Sequence, residues 1–211
     1  MNKSIKYLPY AAWSLGLVVS ALAIIVWGQT FAWHLSVVNS YLFFPVLGLL
    51  AFSLMWTHYM IAFARRLTGS DVPLKNYFRY TGYVVLLAIV FHPGILIYQR
   101  FRDGYGLPPG SYESYVAPMV KWVTLLGTVS LFVFLAFEFK RFFGDKSWWK
   151  YVANASDVAM LAIFYHGLRL GDQLHSGWYK YVWYFYGLTL ITAIIYKYIS
   201  QSKNREVGSV G

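Results

Sequence analysis

The chain alternates apolar stretches of about twenty residues with short polar breaks, and that spacing leaves it few possible folds. A bilayer core is about 30 Å thick, which a helix rising ~1.5 Å per residue crosses in roughly 20 residues. Stretches of that length fall at about 10–29, 40–63, 77–98, 118–138, 149–170 and 178–199. Lipid offers the backbone no hydrogen-bond partners, so each stretch must satisfy its own polar groups as a helix. The expected fold class is therefore all-α: a polytopic membrane protein, a six-helix transmembrane bundle. Composition agrees, since 58% of the 211 residues are hydrophobic and only 12% are charged, a balance that would aggregate in water.

The spans account for nearly the whole chain, 1–211, as a single transmembrane domain. The longest break, Gln99 to Ala117, carries Gly104, Gly106, Pro108, Pro109 and Gly110 and reads as an irregular loop. The first apolar stretch follows Lys3 and Lys6 as a signal peptide would. Its ~20-residue length and lack of a small-residue cleavage pattern predict a retained helix. The absence of cysteine excludes disulfides, thiolate metal sites, iron–sulfur clusters and cysteine-linked haem.

A net charge of +10 raises nucleic acid as a partner, but the positions of the cations point to lipid instead. On a six-span model Lys3, Lys6, Arg65, Arg66, Lys75, Arg79, Lys140, Arg141, Lys146, Lys150, Lys197, Lys203 and Arg205 fall on one side. Arg100, Arg102, Lys121, Arg169 and Lys180 fall on the other. The positive-inside rule then predicts an inner or plasma membrane protein with both termini cytoplasmic, its basic side on anionic lipid. Trp33, Trp122, Trp148, Trp149, Trp178 and Tyr179 sit near span ends as interfacial anchors.

Within this frame two histidines stand out. His92 in the third span and His166 in the fifth lie roughly 23 and 25 Å from their cytoplasmic starts, so both reach the outer half at matched depth. Neutral imidazole binds haem iron without burying a charge. Leu87, Ala88, Val90, Ala162 and Gly167 are small or apolar neighbours suited to a macrocycle. A structural reading stands beside this one, in which each histidine only hydrogen-bonds a neighbouring helix.

The pattern resembles the ferric reductase-like transmembrane family, particularly its branch of haem-binding membrane subunits of bacterial methionine sulfoxide reductase systems. The resemblance rests on Arg65-Arg66-Leu67-Thr68-Gly69, on Arg79-Tyr80-Thr81-Gly82 leading to His92, and on Arg141 to Trp149 followed by Tyr165-His166. It covers about residues 40–200. It implies a haem b electron carrier across the membrane, with His92 and His166 as iron ligands in the outer half. Relatives with a second, inner haem carry a histidine thirteen residues before the outer one, where this chain has Ala153. The third span offers only Phe78 and Arg79 in the corresponding region, so one haem is expected.

Deeper toward the cytoplasm, His58 and Asp157 share a depth. With Arg79 and Ser156 nearby in the span model, they are the expected inner site, either for a quinone or flavin head group and its protons or as a structural His–Asp pair. His34 and His175 fall in outer loops, solvated or available to an external acceptor. No glycine-rich dinucleotide fingerprint is present, so electrons are expected from a quinol, a flavin or a partner reductase and pass to an external redox acceptor. Two other functions fit the same residues: a transporter or channel with Asp157 and His58 as an ion or proton path, and a structural haem-binding subunit.

Overall fold

The structure, a computed structural model, describes residues 7–138 and 144–208, with only the backbone for residues 113, 114 and 203–208. Lys3, Lys6, Lys140 and Arg141 lie outside the described residues. The described residues are helical and contain no strand. The long helices are α1 (Leu8–Gln29), α2 (Ser40–Thr68), α3 (Lys75–Arg102), α4 (Lys121–Glu138), α5 (Trp149–Leu170) and α7 (Tyr179–Gly208), with a single-turn α6 (Asp172–His175) before the last. Five of them, α1, α2, α3, α4 and α7, are long and apolar enough to cross a membrane. The protein is thus an all-α, multi-pass membrane protein. Helix α5 is as long as α1, but Lys150, Asn154, Asp157, His166 and Arg169 dilute its apolar character.

The helices overrun several apolar stretches because caps, not hydropathy, set their ends. The Asn39 side chain accepts from the Leu42 N–H at 3.1 Å and starts α2. That helix continues past its apolar stretch through Arg65 and Arg66 until Gly69, whose φ of 61° closes it with an N–H to the Arg65 carbonyl. Helix α3 runs unbroken through Pro93.

Helix α2 is the centre of the bundle, with residues 51–57 all buried. Helices α1, α3 and α7 pack around it, and α4 pairs with α5. The core between α2, α5 and α7 is aromatic. Phe52 and Trp183 lie 4.2 Å apart between ring centroids, and Trp56 stacks on Tyr186 at 4.4 Å. Both indoles find acceptors, Trp56 in the Thr189 hydroxyl and Trp183 in the Phe164 carbonyl, as buried tryptophan requires. Gly187 lets α7 approach α5, since a Cβ there would sit 2.3 Å from the Phe164 ring.

Two antiparallel hairpins result, α2–α3 and α4–α5. Helices α3 and α5, which carry the two histidines, each pack on their own hairpin partner and are not closely packed on one another.

Candidate functional site: two histidines at one end of the bundle

His92 reaches from α3 to α2, where its Nδ1–H donates to the Phe44 carbonyl at 2.8 Å. His166 reaches from α5 to α4, where its Nδ1–H donates to the Val123 carbonyl, also at 2.8 Å. A carbonyl can only accept, so each bond fixes the same tautomer: proton on Nδ1, lone pair on Nε2. Among the described residues neither Nε2 has a hydrogen-bond partner. Both rings are half-buried, and both lie toward the N-terminal ends of α2 and α4, hence at the same end of the bundle.

The backbone beneath each ring is glycine. A Cβ on Gly48 would stand 2.8 Å from His92 Cε1, and one on Gly127 would stand 2.7 Å from His166 Cε1. Phe44 packs 5.2 Å from the His92 ring, and Tyr165, next to His166, stacks on Trp122 at 5.5 Å. Of the expected apolar neighbours, Leu87 and Val90 are exposed on α3, while Gly167 faces the Trp183 ring of α7.

The loop after α3 folds over this end. The Tyr115 ring lies 6.1 Å from Phe44, and the Tyr112 hydroxyl is 3.3 Å from that of Thr128. Arg100 is buried with its guanidinium 3.4 Å from the Tyr105 centroid. Asp103 accepts from the Tyr41 hydroxyl and from Gln99, and these bonds hold its carboxyl below the usual range. Burial, with the Asp172 charge, pushes the Tyr115 phenol up to about 12. An open, largely apolar groove of about 780 Å³ runs beside the site, lined among others by Asn39, Phe43, Phe91, Gly94 and Tyr98.

No known family model, curated protein or solved structure matches this chain.

The residues expected to form an inner site are distributed over two separate assemblies. Asp157 is buried on α5, with Tyr59 of α2 donating to Oδ1 at 3.0 Å. Lys197 and Tyr198 of α7 donate to Oδ2 at 2.5 and 2.9 Å. Its companions are therefore a lysine and two tyrosines rather than His58, Arg79 or the Ser156 side chain, whose hydroxyl donates to the Val152 carbonyl. His58 lies in the α2–α3 interface, 2.7 Å from the Thr81 hydroxyl. That hydroxyl already donates to the Tyr77 carbonyl, so His58 donates through Nε2, the reverse of the other two histidines. Arg79 is exposed, 5.3 Å from the Tyr80 ring. His34, in the loop after α1, and His175, at the end of α6, are exposed, and Trp178 after α6 donates to the Gln29 side chain at the end of α1 at 3.0 Å.

Sequence reasoning missed Gly48, Gly127, Tyr59, Tyr198 and the pairing role of Lys197. One signal was present for the glycines. Leu87-Ala88-Ile89-Val90-Phe91-His92 recurs as Leu161-Ala162-Ile163-Phe164-Tyr165-His166, and Leu47-Gly48 on α2 recurs as Leu126-Gly127 on α4. Lys197 falls at the end of an apolar stretch and reads as an interfacial cation until α5 is placed beside α7.

Proposed function

We propose that the protein is a transmembrane electron carrier of ferric reductase-like type that would hold one haem b between α3 and α5 through His92 and His166. The observation that carries this reading is the doubled arrangement in which Nδ1 is tied to a backbone carbonyl and Nε2 keeps its lone pair. A second hydrogen bond of this kind orients a metal-binding imidazole and raises its basicity. Among the described residues no group of three or more histidine, aspartate or glutamate side chains could hold a metal. A pair of imidazoles suits a metal that brings further donors of its own, as haem iron does. Bound there, haem would supply one-electron chemistry.

The chain's own contribution is placement and exclusion. Helices α2 and α4 hold each imidazole by its Nδ1–H, Phe44 and the Tyr115 loop cover their end of the bundle, and the aromatic core keeps water from the centre. All six long helices cross the membrane in this reading. The Asp157–Lys197 pair lets α5 do so, because paired charges are tolerated where a lone carboxylate is not. The positive-inside distribution puts both termini in the cytoplasm and the histidine end outside. Electrons then come from a quinol, flavin or partner reductase and leave to an external acceptor on the face that carries His34 and His175.

Absorption spectra of purified wild type, His92→Ala and His166→Ala, each titrated with haem, test the reading. The expected result is a reducible b-type spectrum for wild type and its loss in both variants. Unaltered haem binding in either variant contradicts it, and a wild type that stays colourless favours a transporter.

A further inference from the structure

The two hairpins present the same arrangement twice. In each, the first helix offers a carbonyl, Phe44 or Val123, and a glycine one turn later, Gly48 or Gly127; the second helix offers a histidine at the end of a Leu-Ala-Ile segment. His92 and His166 also stand equally far along their helices, counted from Lys75 and Trp149. Helices α3 and α5 meet little of each other, so this likeness does not arise from a shared interface.

We infer that Gly48 and Gly127 are positioning residues, each the surface on which one imidazole rests so that Nδ1 reaches its carbonyl and Nε2 points away from it. The distances require glycine. A Cβ at either position would meet ring atoms at three distances between 2.7 and 3.4 Å, the shortest below any ordinary contact. The ring cannot simply swing clear. It hangs on one short side chain and is tied to a carbonyl one turn before that glycine on the same helix, so moving off the new methyl breaks the Nδ1 bond. That bond sets the tautomer, and the tautomer leaves Nε2 able to ligate. Rings also rest on Gly28, Gly167 and Gly187, but those rings belong to tryptophan or phenylalanine, and Gly48 and Gly127 are the two whose nearest atoms are those of a histidine. Gly82 and Gly94 lie in α3, the helix of His92, and a Cβ on either finds no atom within 4 Å.

What Nε2 holds rests on the proposed haem function, whereas the ring geometry does not. The test reads the two separately. Protein labelled with 15N in its histidine rings is reconstituted in detergent without haem, with resonances assigned from His92→Gln and His166→Gln. Wild type is expected to carry the proton on Nδ1 of both rings. Gly48→Ala should abolish that signal for His92 and leave His166 unchanged, Gly127→Ala should do the reverse, and Gly82→Ala should change neither. The untouched histidine in each variant reports that the fold is intact. In a haem titration each of the two alanine variants should bind about 10- to 100-fold more weakly than wild type, the usual effect of losing an outer-shell partner. Nε2 protonation in wild type, or Nδ1 signals retained in both alanine variants, overturns the inference, and the wild-type result decides even where a variant fails to fold. Wild type with both Nδ1 signals but no affinity for haem defeats the haem reading alone. Wild-type-like haem binding by both alanine variants defeats the positioning role alone.

Discussion

Two buried polar assemblies occupy this bundle, and they differ in what they leave over. Around Asp157 both carboxylate oxygens accept hydrogen bonds, from Tyr59 on one side and from Lys197 and Tyr198 on the other. Three helices, α2, α5 and α7, are tied together, and both oxygens of the carboxylate are engaged within the fold. Around His92 and His166 only half of each ring is engaged, and the same half in both. Polar groups inside a membrane are costly, so each needs a reason. The first assembly finds its reason within the fold. In the second, two matched lone pairs are left over at one end of the molecule, the feature on which the proposed ligand site rests. His58 belongs with the first kind: its Nε2–H donates to Thr81, between the rings of Tyr77 and Phe78.

The largest effect should come from breaking the second assembly: His92→Ala or His166→Ala is expected to abolish bound haem, read as the absorbance ratio of haem to protein, with the helix content by circular dichroism unchanged. Next, Asp157→Ala should cost about 3–5 kcal/mol of stability by leaving Lys197 buried without its partner. Thermal unfolding in detergent measures this, and the haem spectrum of the surviving folded protein should match wild type. The double replacement Asp157→Leu with Lys197→Met should recover most of that loss; if it does not, the pair is more than a structural tie. His58→Gln should cost no more than about 0.5–1.5 kcal/mol, the worth of one neutral hydrogen bond, and leave the haem spectrum alone. A changed spectrum would place His58 in the site and erase the contrast drawn here.

The smallest effect is a pH dependence at the loop over the histidine end. The Asp103 carboxyl is held low by its hydrogen bonds from Tyr41 and Gln99. A depressed carboxyl stabilises the fold above its unfolded value of about 3.9 and loses that contribution as pH falls through the lower folded value. Protection of the 103–117 loop from limited proteolysis should therefore persist at neutral pH and decline only below about pH 4. In Asp103→Asn the pH dependence should vanish.

The sequence carried the all-helical, membrane-embedded character because lipid forces one solution on any long apolar stretch. It also singled out His92 and His166, because histidine is rare in such stretches, and the structure sets both at one end of the bundle in the same arrangement. Helix ends were less legible, since Asn39 and Gly69 act through local geometry that hydropathy does not report. The partners of Asp157 were not legible at all: Lys197 and Tyr198 lie forty residues away in the chain, and only the packing of α7 against α5 joins them. Gly48 and Gly127 were half-legible, visible as a repeated Leu-Gly but meaningless until the rings of His92 and His166 were seen to lie on them.

Electron paramagnetic resonance of the oxidised, haem-loaded protein tests the central claim most directly. If His92 and His166 ligate one iron, wild type shows a single low-spin ferric species with two imidazole ligands, and each single alanine variant loses it in favour of high-spin or absent haem. A low-spin signal that survives either substitution contradicts the account.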